Sequence, residues 1–182
     1  KADLRKARFA KGALAPKGKI YYIEKMPDQF DLPQAVESGI LEVCRAMLKT
    51  PIPLVGVRGI RLLARQLSKW PDKLGEKDTI LNLGHIIRMQ EEIGTGGADF
   101  RFIYAAFLQE AAEVLENDKL VELSNRCTDV GDLWRDFALI AARVCKGRAA
   151  MRDSFEELAA LLRACADHEE KLFTDLRVAV AR

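Results

Sequence analysis

Gly94-Thr95-Gly96-Gly97-Ala98-Asp99-Phe100-Arg101 separates two strongly helical patterns. Each glycine costs roughly 1 kcal/mol inside an ordered helix. Three of them within four residues therefore call for special backbone angles, very close packing, or a ligand that approaches bare backbone. The chain then enters a run in which Phe100, Ile103, Phe107, Leu108, Ala111, Val114 and Leu115 repeat at helical spacing. On the other side, Asp78 can cap a helix that reaches about Ile93 and carries Ile80, Leu83, Ile87 and Met89. The joint thus reads as a hinge between two amphipathic helices, and the same pattern extends in both directions.

Upstream, Pro33 suits a first helical turn, and Val36, Ile40, Val43, Cys44 and Met47 share one face before Pro51 and Pro53. Residues 56–68 form a second amphipathic stretch with Ile60, Leu63, Ala64 and Leu67, ended by Trp70-Pro71-Asp72. Downstream, Asn117-Asp118 permits a bend. Gly131 interrupts the next helix ahead of Leu133, Trp134, Phe137, Ile140, Ala141 and Val144, and Gly147 ends it. A last helix starts near Asp153 and aligns Phe155, Leu158, Leu162, Cys165, Leu172 and Leu176. The expected class is mainly α, with residues 33–182 an antiparallel bundle of five to six helices.

Residues 1–32 read differently. Leu4, Ala7 and Phe9 suit a short basic helix over 1–11, stopped by Gly12 and Pro16. Lys19-Ile-Tyr-Tyr-Ile-Glu-Lys25, between Gly18 and Pro27, has the β-branched and aromatic content of a strand. One strand cannot satisfy its own backbone. Its partner sheet is expected upstream, in an α/β domain of which residues 1–32 are the tail. Lys1 is not an initiator, which fits a chain that begins inside a longer protein.

The first 25 residues carry eight Lys or Arg against Asp3 and Glu24, although the whole chain is only +2. That end reads as a solvated connector or a surface for an acidic partner, and the small net charge argues against nucleic acid. No apolar run approaches the roughly 20 residues of a membrane span, and a cytoplasmic location is expected. Cys44, Cys127, Cys145 and Cys165 stand singly inside apolar patterns, as reduced buried thiols do. His168 shares the stripe of Cys165 and Leu172 and reads as a hydrogen-bonded core histidine; His85 reads as partly buried. Asn82 and Cys165 precede the two histidines by three residues, so the Glu-x-x-His pairs of a carboxylate-bridged metal site are lacking. Adjacent acids such as Glu91-Glu92 and Glu169-Glu170 read as solvated faces. No self-contained catalytic centre, metal site or cofactor motif emerges.

The joint retains two readings. Arg101 lies in a first helical turn, where the helix dipole disfavours a cation. It therefore invites a carboxylate, with Glu91 or Glu92 nearest in sequence, and the joint becomes a tight turn locked by that pair. Alternatively, the glycines expose helix N–H groups to a ligand. Gly94, Gly96, Gly97, Arg101, Tyr104 and Glu91 are then the ligand-binding candidates.

Three stretches together resemble the helical C-terminal domain of BtrH-like proteins of butirosin biosynthesis, which follows a cysteine-peptidase-like domain. They are Gly56-Val-Arg-Gly59-Ile-Arg through Lys69-Trp70-Pro71, Glu91 through Arg101 with Tyr104, Phe107, Leu108, Glu110 and Ala111, and Gly131-Asp-Leu-Trp134. The resemblance covers roughly residues 33–145. It implies an upstream papain-like domain that carries the Cys–His chemistry and transfers an acyl group from a carrier-protein thioester to an amine. This chain would then be inactive alone, and would pack on that catalytic domain to shape its acyl and amine cleft. Arg101 would meet a phosphate or carboxylate. The competing expectation is a helical interaction or dimerisation module.

Overall fold

The computed structural model describes residues 2–12, 15–25 and 29–181. The chain forms two compact units, Lys1–Asp31 and Leu32–Arg182. In the first, α1 (Ala2–Arg8) has no buried residue. Arg8 reaches forward, its Nε and Nη2 donating to the Gly18 carbonyl at 3.3 and 3.1 Å. Residues 19–25 have no regular structure, and Ile20, Tyr21, Tyr22 and Ile23 are exposed. The strand expected there is therefore not formed. A strand needs a neighbour for its N–H and C=O groups, and the described residues contain no other strand. Pro27, the expected end of that strand, lies outside the described residues.

The second unit is helical throughout: α2 (Leu32–Lys49), α3 (Gly56–Leu67), α4 (Trp70–Glu91), α5 (Arg101–Val114), α6 (Lys119–Cys145) and α7 (Met151–Val180). A 3-10 turn over Ala98–Phe100 precedes α5. The long α6 and α7 are the spine, with α5 and α4 packed on α6 and with α3 and α2 packed on α7. On α6, Leu120, Leu123, Cys127, Val130, Trp134, Phe137, Ala141 and Val144 are buried at helical spacing. The matching stripe of α7 holds Phe155, Leu158, Leu162, Cys165, Leu172 and Leu176, with Glu169 among them. Burying such a row of large apolar side chains contributes about 1.5–3 kcal/mol for each, which is what commits these segments to one packed unit.

Three local expectations are corrected. Gly131 does not interrupt α6. The helix runs straight through it because the Phe102 ring lies where a side chain would go, with Cε1 only 2.6 Å from an ideal Cβ. Trp70-Pro71-Asp72 begins a helix rather than only ending one; Pro71 fits a first turn, and the break falls later, at Gly75. His85 and His168 are both exposed. The position that enters the core beside Cys165 is the next residue, Glu169, which is fully buried while Glu170 faces solvent.

Candidate functional site

The joint is folded by its own side chains. Thr95 donates Oγ1–H to the Gln90 carbonyl at 2.6 Å and accepts from the Gly97 amide at 3.3 Å. Glu91 Oε1 accepts from the Ala98 amide at 3.1 Å and from Gln90 Nε2 at 2.9 Å. Gln90 Nε2 also donates to the Trp134 carbonyl at 2.6 Å, which ties the joint to α6. Six of the seven residues from Gly94 to Phe100 have positive φ, and Ala98, Asp99 and Phe100 do so without being glycine, at 49°, 48° and 71°. They make one left-handed turn, closed when the Arg101 amide donates to the Ala98 carbonyl. Such a turn costs about 1–2 kcal/mol per non-glycine residue, and the bonds to Glu91 and Thr95 hold it.

The turn delivers Arg101 into the interior. Arg101 Nε and Nη2 donate to Glu169 Oε1 at 3.0 and 2.8 Å, and Nη1 donates to the Asp99 carbonyl and to Oδ2, both at 2.7 Å. Trp134 Nε1 donates to the same Glu169 Oε1 at 2.7 Å, and the guanidinium carbon lies 5.1 Å from the Trp134 ring centroid. Burial works against the Arg101 charge, yet Glu169 and then Asp99 outweigh it and raise the guanidinium above its ordinary value. The expected lock between Arg101 and Glu91 or Glu92 is thus replaced by a long-range one to α7. Glu91 instead faces Arg135 at 3.9 Å, and Glu92 faces Arg88 at 3.9 Å.

Arg101, Tyr104, Trp134 and Glu169 border a cavity of about 930 Å³, walled otherwise mainly by apolar side chains such as Met47, Ile60, Leu63, Trp70, Val130, Leu172 and Phe173. Every helix of the unit contributes. Leu54, Val55, Met89 and Phe100 line it and are also exposed, so they form its apolar rim. Two polar atoms near this space have no hydrogen-bond partner, Tyr104 Oη and Glu169 Oε2. Cys127, also in the lining, has its thiol pushed up to about 12 by burial. Among the described residues no cluster of His, Cys, Asp and Glu could hold a metal, and no helix is long and apolar enough to cross a membrane.

Of the residues singled out by sequence, Arg101 and Tyr104 border the cavity, whereas Gly94, Gly96, Gly97 and Glu91 shape the turn behind it. Sequence reading missed Asp99, Trp134 and Glu169 as parts of one polar cluster. A signal was present for the last: Glu169 lies four residues after Cys165 and three before Leu172, in phase with a buried stripe.

These features define a helical domain with an internal, mainly apolar cavity and one buried ion pair. A family model described as a domain of unknown function (DUF4872) matches residues 2–176, and the chain belongs to that family. No curated protein and no solved structure matches it.

Proposed function

We propose that the helical unit is a bundle that walls one side of an acyl-substrate cleft in a thiol acyltransferase or peptidase-like protein whose nucleophile lies outside this chain. The observation that carries this reading is the cavity: about 930 Å³, mainly apolar, with an exposed apolar rim and a single polar cluster at Arg101, Glu169 and Trp134. Pockets of roughly 300–1,000 Å³ with few polar groups are those that take small organic ligands. The thiols here suit a wall better than a nucleophile. Burial pushes Cys44 up to about 11 and Cys127 and Cys165 up to about 12, whereas reactive thiols are held low. The resemblance to BtrH-like proteins supplies the reaction, with a carrier-protein thioester as donor, an amine as acceptor and a cytoplasmic setting.

In that arrangement residues 19–25 add a strand to the sheet of the catalytic domain, which would cover their exposed Ile20, Tyr21, Tyr22 and Ile23. The same four exposed side chains favour the second reading, an interaction or dimerisation module, in which the sheet edge belongs to another protein.

Met47→Trp, introduced in the whole parent protein, separates these readings because it fills the cavity from α2. We expect KM for the acyl donor or acceptor to rise about tenfold, equivalent to some 1.4 kcal/mol, with little change in melting temperature. Unaltered transfer with the cavity filled would rule the cleft reading out.

A further inference from the structure

Glu169 is fully buried in mid-helix, and its two oxygens are treated unequally. Oε1 accepts from Arg101 Nε, Arg101 Nη2 and Trp134 Nε1, while Oε2 has less than 1 Å² exposed and no partner. A carboxylate oxygen is an acceptor only, and a buried acceptor left empty is costly. Tyr104 Oη, three residues along α5 from Arg101, is likewise buried and unpartnered. Both residues line the cavity, and the charged groups in that lining are Asp99, Glu169 and Arg101, an excess of one negative charge. The remaining lining is largely apolar, so a polyhydroxylated body would leave its hydroxyls unpaired.

We propose that the cavity binds an amphiphile with a hydrocarbon body and a primary ammonium head, the head donating to Glu169 Oε2 and Tyr104 Oη. The inference rests on the reading of the cavity as a substrate site and names the chemical class that site selects. An ammonium group brings three donors and one positive charge. It meets both empty acceptors and balances the charge of the lining, which a carboxylate or a neutral alcohol cannot do. The neighbouring rings of Trp134 and Tyr104 add faces that favour a cation.

Trp70 and Trp134, the two tryptophans of the chain, both line the cavity, so intrinsic fluorescence reports its occupancy. The test titrates the 182-residue chain at neutral pH with dodecylamine, dodecan-1-ol and dodecanoate, each below its micelle concentration. Dodecylamine is expected to saturate and to bind roughly tenfold or more tightly than dodecanoate. Glu169→Gln, which exchanges Oε2 for a donor, should abolish that preference. Tyr104→Phe should weaken amine binding without lowering the melting temperature, because the hydroxyl it removes has no partner. Equal responses to all three probes, or no saturable response to the amine, overturn the proposal. If Glu169→Gln fails to fold, Tyr104→Phe decides alone, and an undiminished amine preference in it overturns the proposal. Should Met47→Trp impair transfer in the parent protein while the chain shows no amine preference, the cleft reading stands and the head-group assignment falls.

Discussion

The carboxylate of Glu169 shows how much one residue can decide in a helical core. It is fully buried, and its partner Arg101 is held on three of its nitrogens by Glu169 and Asp99. Deleting either partner strands the other charge away from water, which typically costs 3–5 kcal/mol, about as much as the whole stability of many domains. Arg101→Ala should therefore lower the unfolding free energy by about 3–5 kcal/mol, read by chemical denaturation. The paired change Arg101→Met with Glu169→Leu should be less destabilising than Arg101→Ala, since no charge is left behind. A single variant as stable as the wild type would mean that Arg101 is free to serve a ligand instead. The sequence made Arg101 conspicuous, because a cation in a first helical turn needs a reason. Its partner lies 68 residues away on α7, and nothing in local spacing distinguishes that carboxylate from Glu91. The clue lay in α7 itself, where an acid occupied a position in phase with Cys165 and Leu172.

At the scale of elements, the helices were legible because their apolar stripes are long and regular. The joint was legible only as a place where something unusual happens. Glycine explains positive φ at Gly94, Gly96 and Gly97, but composition gives no warning that Ala98, Asp99 and Phe100 continue the left-handed path. Tertiary bonds impose it. The Ala98 amide is drawn to Glu91, and the Arg101 side chain is drawn to Glu169. Phe100 is the cleanest probe of the stored strain, since it is exposed and has φ 71°. Asparagine accepts that region far better than phenylalanine. Phe100→Asn should stabilise the chain by about 1 kcal/mol, seen as a higher denaturation midpoint with an unchanged slope. A lower midpoint would show that the Phe100 ring contributes more through rim packing than its backbone costs. Gly131 misled in the opposite direction. A glycine within a helical pattern suggests a break, whereas here it makes room for the Phe102 ring. Residues 19–25 have the composition of a strand and lack a partner, and strand formation depends on that partner rather than on the segment.

At the scale of the whole molecule, the mainly α class follows from periodicity alone, but the cavity does not. It arises where six helices leave a space between their stripes, and the same large apolar residues that signal a core also line it. What the assembled fold does to its thiols gives a property that no single helix has. Cys44 on α2, Cys127 on α6 and Cys165 on α7 are each buried, and burial raises them from 9.0 to about 11, about 12 and about 12. The folded chain therefore holds these protons more tightly than the unfolded chain does. That contribution is complete below pH 9 and is lost as pH rises from 9 through 11–12, because only the unfolded state gains by ionising. Three such groups should cost about 4 kcal/mol per pH unit in this window. Urea midpoints recorded from pH 7.5 to 10 should accordingly be flat at first and fall steeply above pH 9. Cys165→Ala should reduce that slope by about one third while lowering the neutral-pH midpoint. A thiol-specific reagent should react with Cys44, Cys127 and Cys165 only at the rate of global unfolding, whereas half-buried Cys145 reacts sooner. A midpoint that stays level to pH 10 would mean that the thiols reach water in the native state, and the cavity beside Cys127 would then be an open, hydrated channel instead of an apolar site.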